Sequence, residues 1–188
     1  HGMCNNNYFY RPFHLEEKYT ATNWATREMC EMIMRKDPTR PAFWYLSYAA
    51  PHPPLVPPKE YLEMYDQMEF SKPLEGEWTK EDPEKLPFAY QYYKNLYNWF
   101  DKNNRIDIAK KAYYATCTYI DHQLRLVIGT LREQGLLEDT IILFTADHGE
   151  MLGTHGLFGK FLMYENSVKI PFILSPPASC GMVCNRVD

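Results

Sequence analysis

The stretch from 108 to 134 constrains this chain more than any other. Ala109, Tyr113, Thr116, Ile120, Leu124, Val127 and Leu131 recur at helical spacing, which predicts one amphipathic helix about 40 Å long at 1.5 Å per residue. Asp107 suits its N-cap, Gly135 the left-handed position past its C-terminus, and Leu136 the apolar residue that follows. After a short turn, residues 140–146 (Thr-Ile-Ile-Leu-Phe-Thr-Ala) are apolar and rich in β-branched side chains, the pattern of a buried strand.

Other segments repeat this alternation. Residues 23–36 carry an apolar stripe at Ala25, Met29, Met32 and Ile33 that ends on the Lys36 stem, with Thr22 or Asn23 as N-cap and Asp37-Pro38 as the stop. Residues 42–48 (Ala-Phe-Trp-Tyr-Leu-Ser-Tyr) read as a strand buried on both faces. A third strand is expected over 170–174, where Pro171 suits a strand start or an edge. Between 51 and 58 stand five prolines, Pro51, Pro53, Pro54, Pro57 and Pro58, which remove donors and fix φ, so a stiff, extended loop leaves the strand end there. Residues 1–20 read as loop, and 59–107 as short helices and loops over the surface. Helices alternating with strands predict an α/β fold with a largely parallel sheet.

Composition narrows the function classes. Hydrophobic residues make up 45% of the 188, enough for a core, which excludes a disordered tail. A formal net charge of −4 lacks the basic surplus of a nucleic-acid binder. No apolar run reaches the length of a membrane span. With 9 glycines against 14 prolines, a glycine-rich phosphate loop is not expected. The five cysteines, Cys4, Cys30, Cys117, Cys180 and Cys184, are odd in number and thinly spread. They predict free thiols rather than a disulfide framework and lean toward a reducing compartment; localisation is otherwise left open.

In open α/β sheets ligands bind beyond the carboxyl ends of strands. Two polar clusters are expected there. His52 stands between Pro51 and Pro53 after strand 42–48, and Asp147-His148-Gly149-Glu150 follows strand 140–146. Asp147 and His148 point to opposite sides of an extended chain, so a turn at Gly149 is needed for both to serve one metal. The next ten residues hold Gly153, Gly156 and Gly159 and end at Lys160, which suggests close backbone approach. Each feature also has a plain structural reading. An Asp-His pair caps turns, His52 and Lys160 suit a solvated surface, and His155 suits a loop hydrogen bond. Asp121-His122, inside the long helix, is read as structural, with Asp121 pairing to a neighbouring loop. The tyrosines of 90–97 are read as packing, or as the lining of a substrate entrance.

Two segments carry a family resemblance. Residues 42–58, AFWYLSYAAPHPPLVPP, resemble the sulfatase pattern of an apolar strand followed by P-H-x-P. Residues 113–174 match the same family in order and spacing: a long helix with an internal Asp, a Gly-Leu turn, a strand, D-H-G-E, L-G-x-H-G, Gly-Lys, Tyr-Glu and an Ile-Pro strand. With 19–58 added, the resemblance covers roughly half the chain, and 59–107 falls where such families vary.

The resemblance implies the three-layer α/β/α sandwich of the alkaline phosphatase superfamily, of which this chain would be a part. It implies hydrolysis of a sulfate ester, of a small molecule or a carbohydrate, with a divalent metal and a formylglycine nucleophile. By the same carry-over, Asp147 and His148 are metal ligands. His52 is the proton donor to the leaving oxygen, and Lys160 contacts the sulfate. Calcium is the implied metal, with manganese or zinc compatible with a histidine ligand. None of the five cysteines stands in a C-x-P-S-R context and no serine equivalent occurs. The family's first Asp-Asp or Asp-Gln metal pair is absent as well. The expectation is therefore an internal part of a single catalytic domain, 1–188, with 59–107 as a variable insertion. The formylglycine would lie upstream, and this chain alone would be inactive. A phosphonate or phosphate monoester hydrolase of the same superfamily is the alternative, and a catalytically silent chain is a further one. Exposed sheet edges would favour self-association.

Overall fold

The computed structural model describes residues 8, 10–101 and 106–181. Its helices are α1 (Ala21–Met34), α2 (Lys59–Glu63), α3 (Phe88–Asp101), α4 (Ile106–Glu133) and α5 (Glu165–Val168), and its strands are β1 (Ile142–Thr145) and β2 (Phe172–Ser175). Residues up to Gln67, Lys111–Ile142 and those from Leu174 onward form one unit; Met68–Lys110 and Leu143–Ile173 form a second.

In the first unit, α1 starts one turn earlier than its apolar stripe suggests. Thr20 is the N-cap, its hydroxyl accepting the Asn23 N–H at 3.0 Å, in place of Thr22 or Asn23. Thr22 and Thr26 are buried instead, and Thr26 Oγ1 meets the Tyr48 hydroxyl at 2.7 Å. Met29 and Ile33 are buried as the stripe requires, whereas Met32 is exposed. They form a core with Leu131 of α4, and Trp44, Leu46, Val127, Leu136, Leu137 and Ile142 pack against it.

The C-terminus of α4 follows its sequence signals. Gly135 takes a left-handed φ of 67°, its N–H reaches the Arg132 carbonyl at 3.0 Å, and the Leu136 N–H reaches that of Leu131 at 2.9 Å. This is the Schellman pattern, with Leu136 folded back onto Leu131. At the other end, Asp107 lies inside the first turn, and the residue before Ile106 falls outside the described residues. Of the expected stripe, Ala109, Thr116, Ile120 and Leu131 are buried, while Tyr113, Leu124 and Val127 are only half-buried, and Ala112, Ala115, Tyr119 and Gln123 widen the buried face. Asp121 is exposed and does not make the expected loop contact through a hydrogen bond or ion pair among the described residues; its neighbour His122 meets α2 instead, Nδ1 lying 3.1 Å from the Tyr61 hydroxyl.

The segment 42–48 departs from expectation. It is not a strand among the described residues, and only one side is covered. Trp44, Leu46 and Tyr48 are half-buried, while Phe43 is 90% and Tyr45 78% exposed. Apolar composition on both faces suggested two-sided burial, but strand formation needs a hydrogen-bonded neighbour, which composition does not supply. The proline loop does gain a backbone partner. The Arg11 N–H donates to the Leu55 carbonyl at 3.2 Å and the Phe13 N–H to that of Pro57 at 2.8 Å, so 10–13 is not free loop.

β1 and β2 form a two-stranded sheet. Both strands are shorter than expected; Leu143 and Phe144 are exposed rather than buried, and Phe172 and Ile173 of β2 are exposed too. Pro171 immediately precedes β2, as its missing donor requires, and its carbonyl accepts the Thr145 hydroxyl at 2.9 Å. Elsewhere in the second unit, α3 is a 14-residue helix, longer than the short pieces expected there. It contributes Tyr90 to an aromatic cluster with Trp78, Tyr164 and His155. Of the tyrosines expected to pack, Tyr90 does so in this cluster and Tyr93 stacks on Phe161 at 4.6 Å, whereas Tyr92 is exposed. No helix among the described residues is long and apolar enough to cross a membrane.

Candidate functional site

Asp147 and His148 follow β1 in the second unit. The strand does not hold them in a buried setting, since the Asp147 side chain is 90% exposed and that of His148 29%. Hydrogen bonds fix the pair instead. Asp147 Oδ1 accepts the His148 N–H at 3.1 Å, and His148 Nδ1 lies 2.7 Å from the Gly149 carbonyl. A carbonyl only accepts, so Nδ1 donates in this bond. The other ring nitrogen, Nε2, lies 3.5 Å from Asp147 Oδ2. A ligating histidine is commonly oriented by such a backbone bond on its other nitrogen. Two donors at this separation can share one cation at about 2.0–2.6 Å from each. The residues therefore fit a divalent metal as two of its ligands. Among the described residues no third His, Cys, Asp or Glu joins them.

Gly149 is required for a reason different from the turn expected of it. A Cβ there would sit 2.1 Å from the Asn166 carbonyl oxygen and 2.9 Å from that of Lys169. Its N–H donates to the Ser167 carbonyl at 2.7 Å. Close backbone approach, not a positive φ, selects glycine here. The positive φ values come later, at Leu152, Gly153, His155, Gly156 and Gly159. This loop ends at the half-buried Lys160.

His52 belongs to the first unit and is exposed. Its Nδ1 lies 2.8 Å from the Pro53 carbonyl, so Nδ1 donates in that bond and Nε2 is the other ring nitrogen. The structure thus brings Asp147 and His148 together in one unit with Lys160, and places His52 in the other.

Sequence reasoning passed over two residues of this region. Glu150 grips the loop that follows it, its Oε1 accepting the Leu152 N–H at 3.0 Å and the Gly159 N–H at 2.7 Å. His155 was expected only as a loop hydrogen-bonder. Its backbone N–H does reach the Leu74 carbonyl at 2.6 Å, but its ring packs 4.7 Å from Tyr164 and 6.1 Å from Trp78. Burial, and then the neighbouring Tyr90, push the Tyr164 phenol up to about 12. The signal for Glu150 lay in an acidic residue directly before a glycine-studded loop, the place where carboxylates cap turns. Burial also pushes the Cys117 thiol up to about 11, so it stays a neutral packing group. Cys30 and Cys180 are free thiols as expected, and Cys4 and Cys184 lie outside the described residues.

The sulfatase family model matches residues 2–179, and the chain belongs to the sulfatase family. It is 38% identical over 179 residues to an arylsulfatase of Clostridium perfringens, covering 95% of this chain and 36% of that protein. Among solved structures, the phosphonate monoester hydrolase of Agrobacterium radiobacter superposes with a TM-score of 0.67 at 21% identity, covering 94% of this chain and 37% of that one. BT4656, solved with its substrate D-glucosamine-2-N,6-O-disulfate, superposes with a TM-score of 0.66 at 20% identity, covering 84% of this chain and 43% of that one. These likenesses define an alkaline-phosphatase-like α/β fold. The chain spans about a third of the length of the curated relatives it matches.

Proposed function

We propose that the protein containing this sequence hydrolyses sulfate monoesters, with Asp147 and His148 among the ligands of a divalent cation. The observation that carries this reading is the paired geometry of Asp147 Oδ2 and His148 Nε2, 3.5 Å apart with the histidine tautomer set by the Gly149 carbonyl. A cation bound there supplies positive charge against the sulfate oxygens. Lys160 adds an ammonium for the charge that builds on the sulfate and the leaving oxygen. His52, turned by its bond to the Pro53 carbonyl, protonates the departing oxygen from Nε2. The nucleophile, a formylglycine hydrate, belongs to sequence outside this chain, so the 188 residues alone are inactive on this reading. Calcium is the favoured cation, and the histidine ligand leaves manganese or zinc compatible.

The whole fold is, on the same reading, a three-layer α/β/α sandwich around a mostly parallel sheet. Within it 1–188 is a central part of one catalytic domain and 59–107 a variable surface insertion. The substrate class is a small or carbohydrate sulfate ester, in line with the disulfated sugar held by BT4656. A phosphonate or phosphate monoester is the second reading, favoured by the fold shared with the Agrobacterium enzyme. The 38% identity to an arylsulfatase weighs toward sulfate. Turnover of matched sulfate and phosphonate esters by the full reading frame separates the two. The exposed Leu143, Phe144, Phe172 and Ile173 are proposed to pair with a second copy of this chain. Light scattering should then show mass rising with concentration, and a monomer at every concentration would count against it.

A further inference from the structure

We propose that Glu150 is the positioning residue for Lys160, acting by closing the loop between them. This rests on the role of Lys160 proposed above. One carboxylate oxygen, Oε1, accepts the N–H of Leu152 at 3.0 Å and that of Gly159 at 2.7 Å. It thus joins the second residue after Glu150 to the residue immediately before Lys160. The Met151 N–H adds a backbone bond to the Gly159 carbonyl at 3.0 Å, and the Thr154 N–H one to the Met151 carbonyl at 2.8 Å.

The loop needs such a clamp. Five of its residues have positive φ, and two of them, Leu152 at 43° and His155 at 58°, are not glycine. An L-residue stays in that region only where its surroundings over-determine it. For Leu152, the N–H that would otherwise have to find water is held by Glu150. Met151, Leu157 and Phe158 are buried and anchor the loop from inside. The carboxylate therefore sets where the chain emerges at Lys160. One oxygen taking both N–H groups lets a single side chain close the loop.

The role is acceptance of hydrogen bonds rather than proton transfer, so Glu150→Gln, which keeps Oε1, should retain most of the function. Glu150→Ala removes it, and Glu150→Asp reaches less far. In the 188-residue chain, amide exchange at Leu152 and Gly159 should quicken about tenfold in Glu150→Ala, the scale of one lost hydrogen bond. It should stay near the parent rate in Glu150→Gln. In the full reading frame, kcat should fall about tenfold or more in Glu150→Ala with KM much less affected, and the order should be Gln above Asp. Added to Lys160→Ala, the Glu150→Ala change should cost nothing further, because its effect runs through Lys160. If Glu150→Ala does not fold, the order of Gln and Asp decides the matter by the same readouts. Additive losses in the double variant, or Gln as damaging as Asp, would overturn the proposal. If Lys160→Ala leaves turnover intact, the function reading falls with it. Faster amide exchange in Glu150→Ala would then mark a purely structural clamp.

Discussion

Gly149→Ala should destabilise the 143–173 segment by about 3 kcal/mol or more, at or beyond the upper end for overpacked sites. The added Cβ would stand 2.1 Å from the Asn166 carbonyl oxygen and 2.9 Å from that of Lys169. Both are backbone atoms of α5 and its C-terminal cap, so no side-chain rotation relieves the contact. The same approach is fixed by the Gly149 N–H bond to Ser167 at 2.7 Å, and moving the strand exit away breaks it. His148 then loses the Gly149 carbonyl that sets its tautomer. The loss should appear as a lower urea midpoint, read beside Gly156→Ala. A Cβ at Gly156 meets no atom within 4 Å, though its φ of 70° carries strain of its own. A midpoint for Gly149→Ala equal to that of the parent would show that the two backbones part freely.

Lys160→Ala should lower kcat in the full reading frame by about 10² to 10³, the scale for removing one preorganised donor to a developing charge. KM should change far less, because the charge that Lys160 meets is greatest in the transition state. The half-buried side chain is not part of the apolar core, so folding should be little altered. Lys160→Arg should recover only part of the loss, since a planar guanidinium presents its donors in a different geometry. Rates within about twofold of the parent for Lys160→Ala would remove the residue from the chemistry.

Local signals in the sequence were legible at the end of α4 and the start of β2, though the N-cap of α1 fell on Thr20 rather than Thr22 or Asn23. Gly135 and Leu136 ended α4 as expected because the Schellman turn depends only on a residue tolerant of positive φ and an apolar neighbour. Pro171 fell just before β2 for a similarly local reason. Burial was less legible. Phe43, Tyr45, Phe172 and Ile173 are as apolar as core residues yet exposed, because burial depends on what lies opposite, which no single segment encodes. Adjacency in the sequence singles out Asp147 and His148 as a pair, and their side chains do lie side by side in the structure. The glycine beside them was read as a turn, although its need arises from the distant backbone of Asn166. The Glu150 clamp was missed for the same reason, since its partners two and nine residues on become visible only once the loop has closed.

Turnover of an aryl sulfate and the matching aryl phosphonate monoester by the full reading frame, before and after chelation and in Asp147→Asn, tests whether the Asp147–His148 pair serves metal-dependent cleavage of a sulfate ester. Preferred turnover of the sulfate is predicted, lost on chelation, restored by a divalent cation, and lost in Asp147→Asn. Preference for the phosphonate would contradict the account, as would sulfate turnover that survives both chelation and Asp147→Asn.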